Sequence, residues 1–193
     1  MVEDLREQKE IDNNFLEEEM KNHNYILRLV AIALFAAIIL LSTLLSIPNG
    51  VGGYIHPGDS MIYACAWFLG GPLAAIAAAV GSGLADIIAG YPQFAIITLL
   101  IKGIMGLVVG FAMSKLPKKM LYRVLSMSIG AVIMIVGYFV ATIFLYGIAA
   151  AFTETLFNLI QAVTGVILGT LIIEALRKVN GINNFRNKLK GKE

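Results

Sequence analysis

Between Leu29 and Ser114 the chain carries only three charges, Asp59, Asp86 and Lys102, and between Val124 and Ile173 only one, Glu154. No other feature constrains the fold so tightly. A run of about 20 apolar residues matches the hydrocarbon thickness of a bilayer at the rise of an α-helix. A soluble domain, with about a quarter of its residues charged, does not leave such stretches bare. With 58% hydrophobic and 15% charged residues overall, the sequence reads as an integral membrane protein. Backbone groups in lipid must be bonded internally, and the period-2 alternation of a β-barrel is absent. The fold class is therefore all-α.

Five runs are long enough to span, or nearly so: 25–47, 72–88, 94–114, 121–146 and 154–176. A shorter segment, 59–69, closed by Gly70-Gly71-Pro72, reaches only part of the way across at helical rise. It is expected as a short helix two, packed against its neighbours. The sequence thus predicts a six-transmembrane-helix bundle with a long outer loop after helix one. The membrane domain covers 25–177, flanked by solvated tails at 1–24 and 178–193. The start, MVEDLREQKE, is acidic, so the first apolar segment is expected to direct insertion and be retained. Residues 1–28 hold four basic side chains, 115–123 four and 177–192 six, whereas the three alternate loops hold none. Positive charge stays cytoplasmic, which places both termini inside. The single cysteine, Cys65, excludes an internal disulfide and reads as a small core residue.

With that topology, polar side chains gather toward the outer leaflet. Asp59 begins helix two and Asp86 ends helix three, while Lys102 lies roughly 12 Å into helix four. Glu154, Asn158 and Gln161 are spaced four and three apart, on one helix face. Tyr138, Thr142 and Tyr146 share a face of helix five, and Tyr63 and Trp67 follow Asp59 on helix two. Ionic groups at membrane depth are costly and face a bundle interior or a watery site. Two readings stand side by side: an interhelical pair, Asp59–Lys102 or Asp86–Lys102, or one cavity open to the outside. Asp86 also suits the role of anchoring its helix end.

Small residues recur four apart, at Ala33 and Ala37, at Ala77, Gly81 and Ala85, at Gly106 and Gly110, and at Gly165 and Gly169. Such spacing lets helix backbones approach closely. One such surface is expected to receive another protein. No phosphate-binding loop of the G-x-x-x-x-G-K-[ST] type, no H-E-x-x-H and no paired-cysteine metal site occurs. An enzyme is disfavoured, and no cofactor or nucleic-acid partner is expected. A pocket without its own engine is the main reading. A self-sufficient ion-coupled carrier using Asp59, Asp86, Lys102 and Glu154 as a proton path is the alternative.

The run GDSMIYACAWFLGGPLAAIAAAVGSGLADIIAGYPQFAIITLLIKGIMGLVVG, residues 58–110, resembles the substrate-binding S components of energy-coupling factor (ECF) vitamin transporters. The resemblance covers about 25–177 and is closest to the riboflavin, hydroxymethylpyrimidine and pyridoxine branch. It implies capture of a small heteroaromatic vitamin outside a bacterial cell membrane, pyridoxine or hydroxymethylpyrimidine before riboflavin. It implies partnership with a transmembrane coupling subunit, met through Ala33 and Ala37, and with two cytoplasmic ATPases that alone use ATP. Asp59, Lys102, Glu154, Asn158 and Gln161 would hold the ligand's polar edge, and Tyr63, Trp67 and Tyr138 would stack on it. The glycine-rich loop with Asn49, Tyr54 and His56 would act as a lid.

Overall fold

The computed structural model describes residues 2–48, 50 and 53–189, and for 2–18 and 21 the backbone alone; Asn49 lies outside the described residues. Among the described residues seven helices follow one another: α1 (Val2–Leu44), α2 (Gly58–Leu69), α3 (Gly71–Ile88), α4 (Pro92–Lys115), α5 (Met120–Tyr146), α6 (Ile148–Arg177) and α7 (Asn180–Leu189). Two short strands, β1 (Ile47–Pro48) and β2 (Tyr54–Ile55), pair antiparallel between α1 and α2. Among the described residues, five helices contain stretches long and apolar enough to cross a membrane: Asn22–Leu44 of α1, and α3, α4, α5 and α6. Their exposed side chains are those a lipid-facing surface needs, among them Ile96, Phe144, Leu156 and Leu171.

The sixth apolar segment differs in kind. α2 has 12 residues, about 18 Å of helix, and all of them except Met61 are buried. It runs through the middle of the bundle, touching α1, α3, α4 and α6. Glycines make room for it. A Cβ on Gly165 would lie 3.2 Å from Asp59 Cβ, one on Gly169 3.0 Å from the Tyr63 ring, and one on Gly130 3.2 Å from the same ring. The other small-residue pairs close helix on helix. Gly106 and Gly110 of α4 lie against the backbone of Ala74 and Gly71 of α3, and Gly81 of α3 lies against Ala36 of α1. Ala33 and Ala37 remain exposed on α1, beside exposed Val30, Leu34 and Leu41.

Three boundaries differ from those read in the sequence. α1 is helical from Val2 rather than from 25, so the acidic stretch runs as helix into the apolar stretch Asn22–Leu44. α6 starts at Ile148 rather than 154, because Gly147 alone, at φ 87°, turns the chain out of α5. A left-handed residue of this kind suits glycine, and the alanines at 149–151 favour helix over loop. The expected C-terminal tail contains α7. Ile182, Phe185 and Leu189, spaced three and four apart, share a face, and Leu189 is buried against the bundle.

The bundle consequently has two unlike ends. The hairpin end carries β1, β2 and the turns at Gly90 and Gly147. The basic end carries Lys115 at the close of α4, the α4–α5 connection with Lys118 and Lys119, and α7.

Candidate functional site

Asp59 sits in the first turn of α2 with no exposed surface, where the positive end of the helix favours a carboxylate. Its sequence neighbours offer no cation, and the fold supplies one from α4. Lys102, also fully buried, donates to Asp59 Oδ1. Gln161 of α6 donates from Nε2 to Asp59 Oδ2 at 2.9 Å. Its Oε1 accepts the backbone N–H of His56 at 3.0 Å. The Lys102 ammonium stands 5.4 Å from the centre of the Tyr138 ring, within reach of a cation–π contact. Asp86 pairs instead with the Tyr54 hydroxyl, which donates to its Oδ1. Of the two ion pairs open in the sequence, Asp59–Lys102 is the one formed.

Above this floor lies a chamber lined by Tyr54, His56, Asp86, Phe94, Thr98, Tyr138, Glu154, Asn158 and Gln161, with Gly53 at its rim. Thr98 and Tyr138 share a hydrogen bond of 2.8 Å, and Thr142 donates to Glu154. Asn158 stands apart. It is nearly buried, and among the described residues its Nδ2 has no hydrogen-bond partner. An amide left so costs about 1–3 kcal/mol.

The chamber is small. Its free volume is about 30 Å³, room for a water or so. Tyr54 of β2 and the neighbouring His56 bring the strap into its wall. The Tyr54 ring packs on Tyr91 and His56 at centroid distances of 4.9 and 5.4 Å. Burial, with the Asp86 hydrogen bond and charge beside it, pushes the Tyr54 phenol well above its usual value. It therefore remains a donor. Burial pulls the His56 imidazole down to about 4, against the opposing pull of Asp59 and with a smaller push from Lys102. Its Nδ1 accepts the Gly58 N–H at 3.1 Å, so the neutral ring carries its proton on Nε2.

A titration follows from this arrangement. The free imidazole titrates near 6.5 and the enclosed one near 4, so the open strap binds the proton more readily than the closed one. The contribution of neutral His56 to closure is complete above about pH 6.5 and is lost as pH falls toward 4. Hydrogen exchange of the strap amides is expected to show opening over that window in the parent protein, and a flatter profile in His56→Gln. Equal profiles would remove His56 from the latch.

Most residues expected at the site are brought together: Tyr54, His56, Tyr138, Glu154, Asn158 and Gln161 in the chamber wall, Asp59 and Lys102 beneath it. Tyr63 lies deeper, wedged against Gly165 and Gly169, with its buried hydroxyl unpaired among the described residues. Trp67 is misplaced by the sequence reading. Eight residues of helix, about 12 Å, carry it to the basic end, where its ring lies under the Arg186 guanidinium at 4.5 Å. Phe94 and Thr98 were missed, although they precede Lys102 by eight and four positions on one stripe of α4.

A helical membrane bundle with a strapped, polar-floored chamber near one end is the architecture of a membrane protein with a candidate solute site. The chain belongs to the family of ECF-type riboflavin transporter S components, whose model matches residues 23–178. This is a family of transporter subunits and not of enzymes. An uncharacterized protein of Pyrococcus woesei is 39% identical over 117 residues, covering 61% of this chain and 78% of the relative. The thiamine precursor transporter HmpT of Lactococcus lactis is 26% identical over 140 residues, covering 72% of this chain and 80% of the relative.

Proposed function

We propose that the protein is the ligand-capturing subunit of an ECF importer for a small heteroaromatic vitamin or precursor, of the hydroxymethylpyrimidine or pyridoxine type. The observation that carries this reading is Asn158. Lys102, Asp59 and Gln161 satisfy one another, whereas the Asn158 amide presents unpaired donors to a chamber walled by Tyr54, His56, Phe94 and Tyr138. An amide offers a donor and an acceptor side by side, the pattern that matches a ring nitrogen next to an amino group. Aromatic walls with a few fixed polar groups suit a flat heterocycle. The relative named for a thiamine precursor agrees with this choice. Riboflavin is the second reading, favoured by the family model's own description. Its three-ring system and ribityl chain demand a larger displacement of the strap from a nearly filled chamber.

In this reading α2 counts as the sixth, partial span. The hairpin end faces outward, and both termini lie on the cytoplasmic side of the cell membrane. The strap opens to admit the ligand and closes over it. Import is driven by partners: a transmembrane coupling subunit docking on the exposed Ala33 and Ala37 of α1, and two ATPases that hydrolyse ATP.

Calorimetric titration of the purified chain with hydroxymethylpyrimidine, pyridoxine and riboflavin tests the reading. One of the two smaller compounds is expected to bind without ATP. Asn158→Ala is expected to weaken that binding by up to about tenfold, the scale of one net hydrogen bond. Unchanged affinity in the variant would put the ligand elsewhere, and binding of riboflavin alone would select the second reading.

A further inference from the structure

A second and much larger cavity, about 580 Å³, opens at the basic end. Arg28, Lys118, Arg123, Arg177 and Arg186 line it. They come from α1, the α4–α5 connection, α5, α6 and α7, so five separate pieces of chain aim cations at one concavity. Among the described residues one carboxylate answers them. Glu174 accepts from Arg123, and from Arg177 at 2.9 and 3.1 Å.

Three of these cations are held in place by backbone carbonyls. Arg28 donates from Nε to the Leu189 carbonyl at 3.0 Å, and Arg123 to the Lys118 carbonyl at 2.5 Å. Arg186 donates from Nε to the Trp67 carbonyl at 2.9 Å and stacks on the Trp67 ring. Its two terminal amino groups donate to no described residue. Burial and the Arg177 charge both push the Arg186 guanidinium below its ordinary value, the mark of crowded cations that an anion relieves. At the back of the cavity α3 begins with Gly71-Pro72 and no side-chain cap, so the positive end of an 18-residue helix adds to the field. The rim is apolar. Leu73, Phe111 and Leu116 lead from the cavity toward the lipid-facing surface, and Phe111 and Leu116 are exposed.

We propose that this cavity binds a phosphate group, carried by an anionic phospholipid headgroup or by a free phosphate compound. Guanidinium forks match phosphate oxygens in pairs, and the cavity is far larger than a bare ion requires. The apolar rim gives the acyl chains of a lipid a way out. The occupant bridges α7 to α5 and α6 through Arg186, Arg123 and Arg177. The inference is independent of what the chamber at the hairpin end holds.

The test uses the full chain in nanodiscs of neutral phosphatidylcholine, titrated in one arm with phosphatidylglycerol and in the other with inorganic phosphate. Lipid retention is read by native mass spectrometry and stability by melting. Phosphatidylglycerol is expected to be retained over phosphatidylcholine and to raise the melting temperature. Lys118→Gln and Arg177→Gln, both at exposed positions, are each expected to weaken this about fivefold, the effect of one cation near an anionic headgroup. Melting in pure phosphatidylcholine reports whether each variant is folded. Stabilisation by inorganic phosphate alone, lost in the same variants, assigns the site to a free phosphate compound. Equal retention of both lipids with no phosphate effect, or variants that bind as the parent does, overturns the proposal.

Discussion

Lys102→Met is expected to abolish ligand binding and to destabilise the protein by about 3–5 kcal/mol, the loss typical when one partner of a buried ion pair is removed. The reason lies in what remains. Asp59 would keep its hydrogen bond from Gln161, yet its charge would be stranded without a cation in a site that has no exposed surface. The double variant Asp59→Leu/Lys102→Met separates structure from function. Buried pairs are often replaced by apolar residues at little cost, so its melting temperature is expected to return close to that of the parent. Binding is not expected to return, because Gln161 then loses the carboxylate that holds its amide toward His56. Thermal melting with calorimetric titration on the three proteins checks both halves. A Lys102→Met protein that melts like the parent would mean that Asp59 carries no charge in the folded state.

Gly110→Val is the second large effect. A Cβ at this position would lie 2.4 Å from Gly71 N, 2.5 Å from Gly71 Cα and 2.6 Å from Gly70 C. All three are backbone atoms at the junction of α2 and α3, and none can rotate away. α4 must separate from α3, the pair with the most extensive contact in the bundle. Overpacking costs about 1–3 kcal/mol where side chains can adjust, and here roughly 3 kcal/mol or more is expected. Gly181→Ala is the matched control, since a Cβ there meets nothing within 4 Å. It should leave the melting temperature unchanged or slightly raised. Similar melting for Gly110→Val and parent would show that the two helices are not clamped as tightly as these distances require.

The parts of the site that could be read from the sequence were those where polarity contradicted its surroundings. Asp59, Lys102, Asn158 and Gln161 are conspicuous in apolar runs, and the cost of placing them in lipid forces them inward and together. Partner choice was not readable in the same way. That Asp59 rather than Asp86 takes Lys102 depends on how deep α2 is threaded, and glycines on two other helices, α5 and α6, decide that. Trp67 shows the converse failure. An aromatic two turns below a polar residue looks like a stacking wall until the helix is followed to its far end, where Arg186 waits. α7 was hidden because four asparagines, Asn180, Asn183, Asn184 and Asn187, together with Arg186 and Lys188 dominate its composition, although Ile182, Phe185 and Leu189 mark its apolar face.

The brevity of α2 bears on how such a chain is made. Its 12 residues are too few for the insertion machinery to recognise as a span, and Asp59 at its start adds a further penalty. Three of the helices that bury it, α3, α4 and α6, follow it in the chain. The half-length helix therefore has its full company, and Asp59 both Lys102 and Gln161, only once α6 has been made.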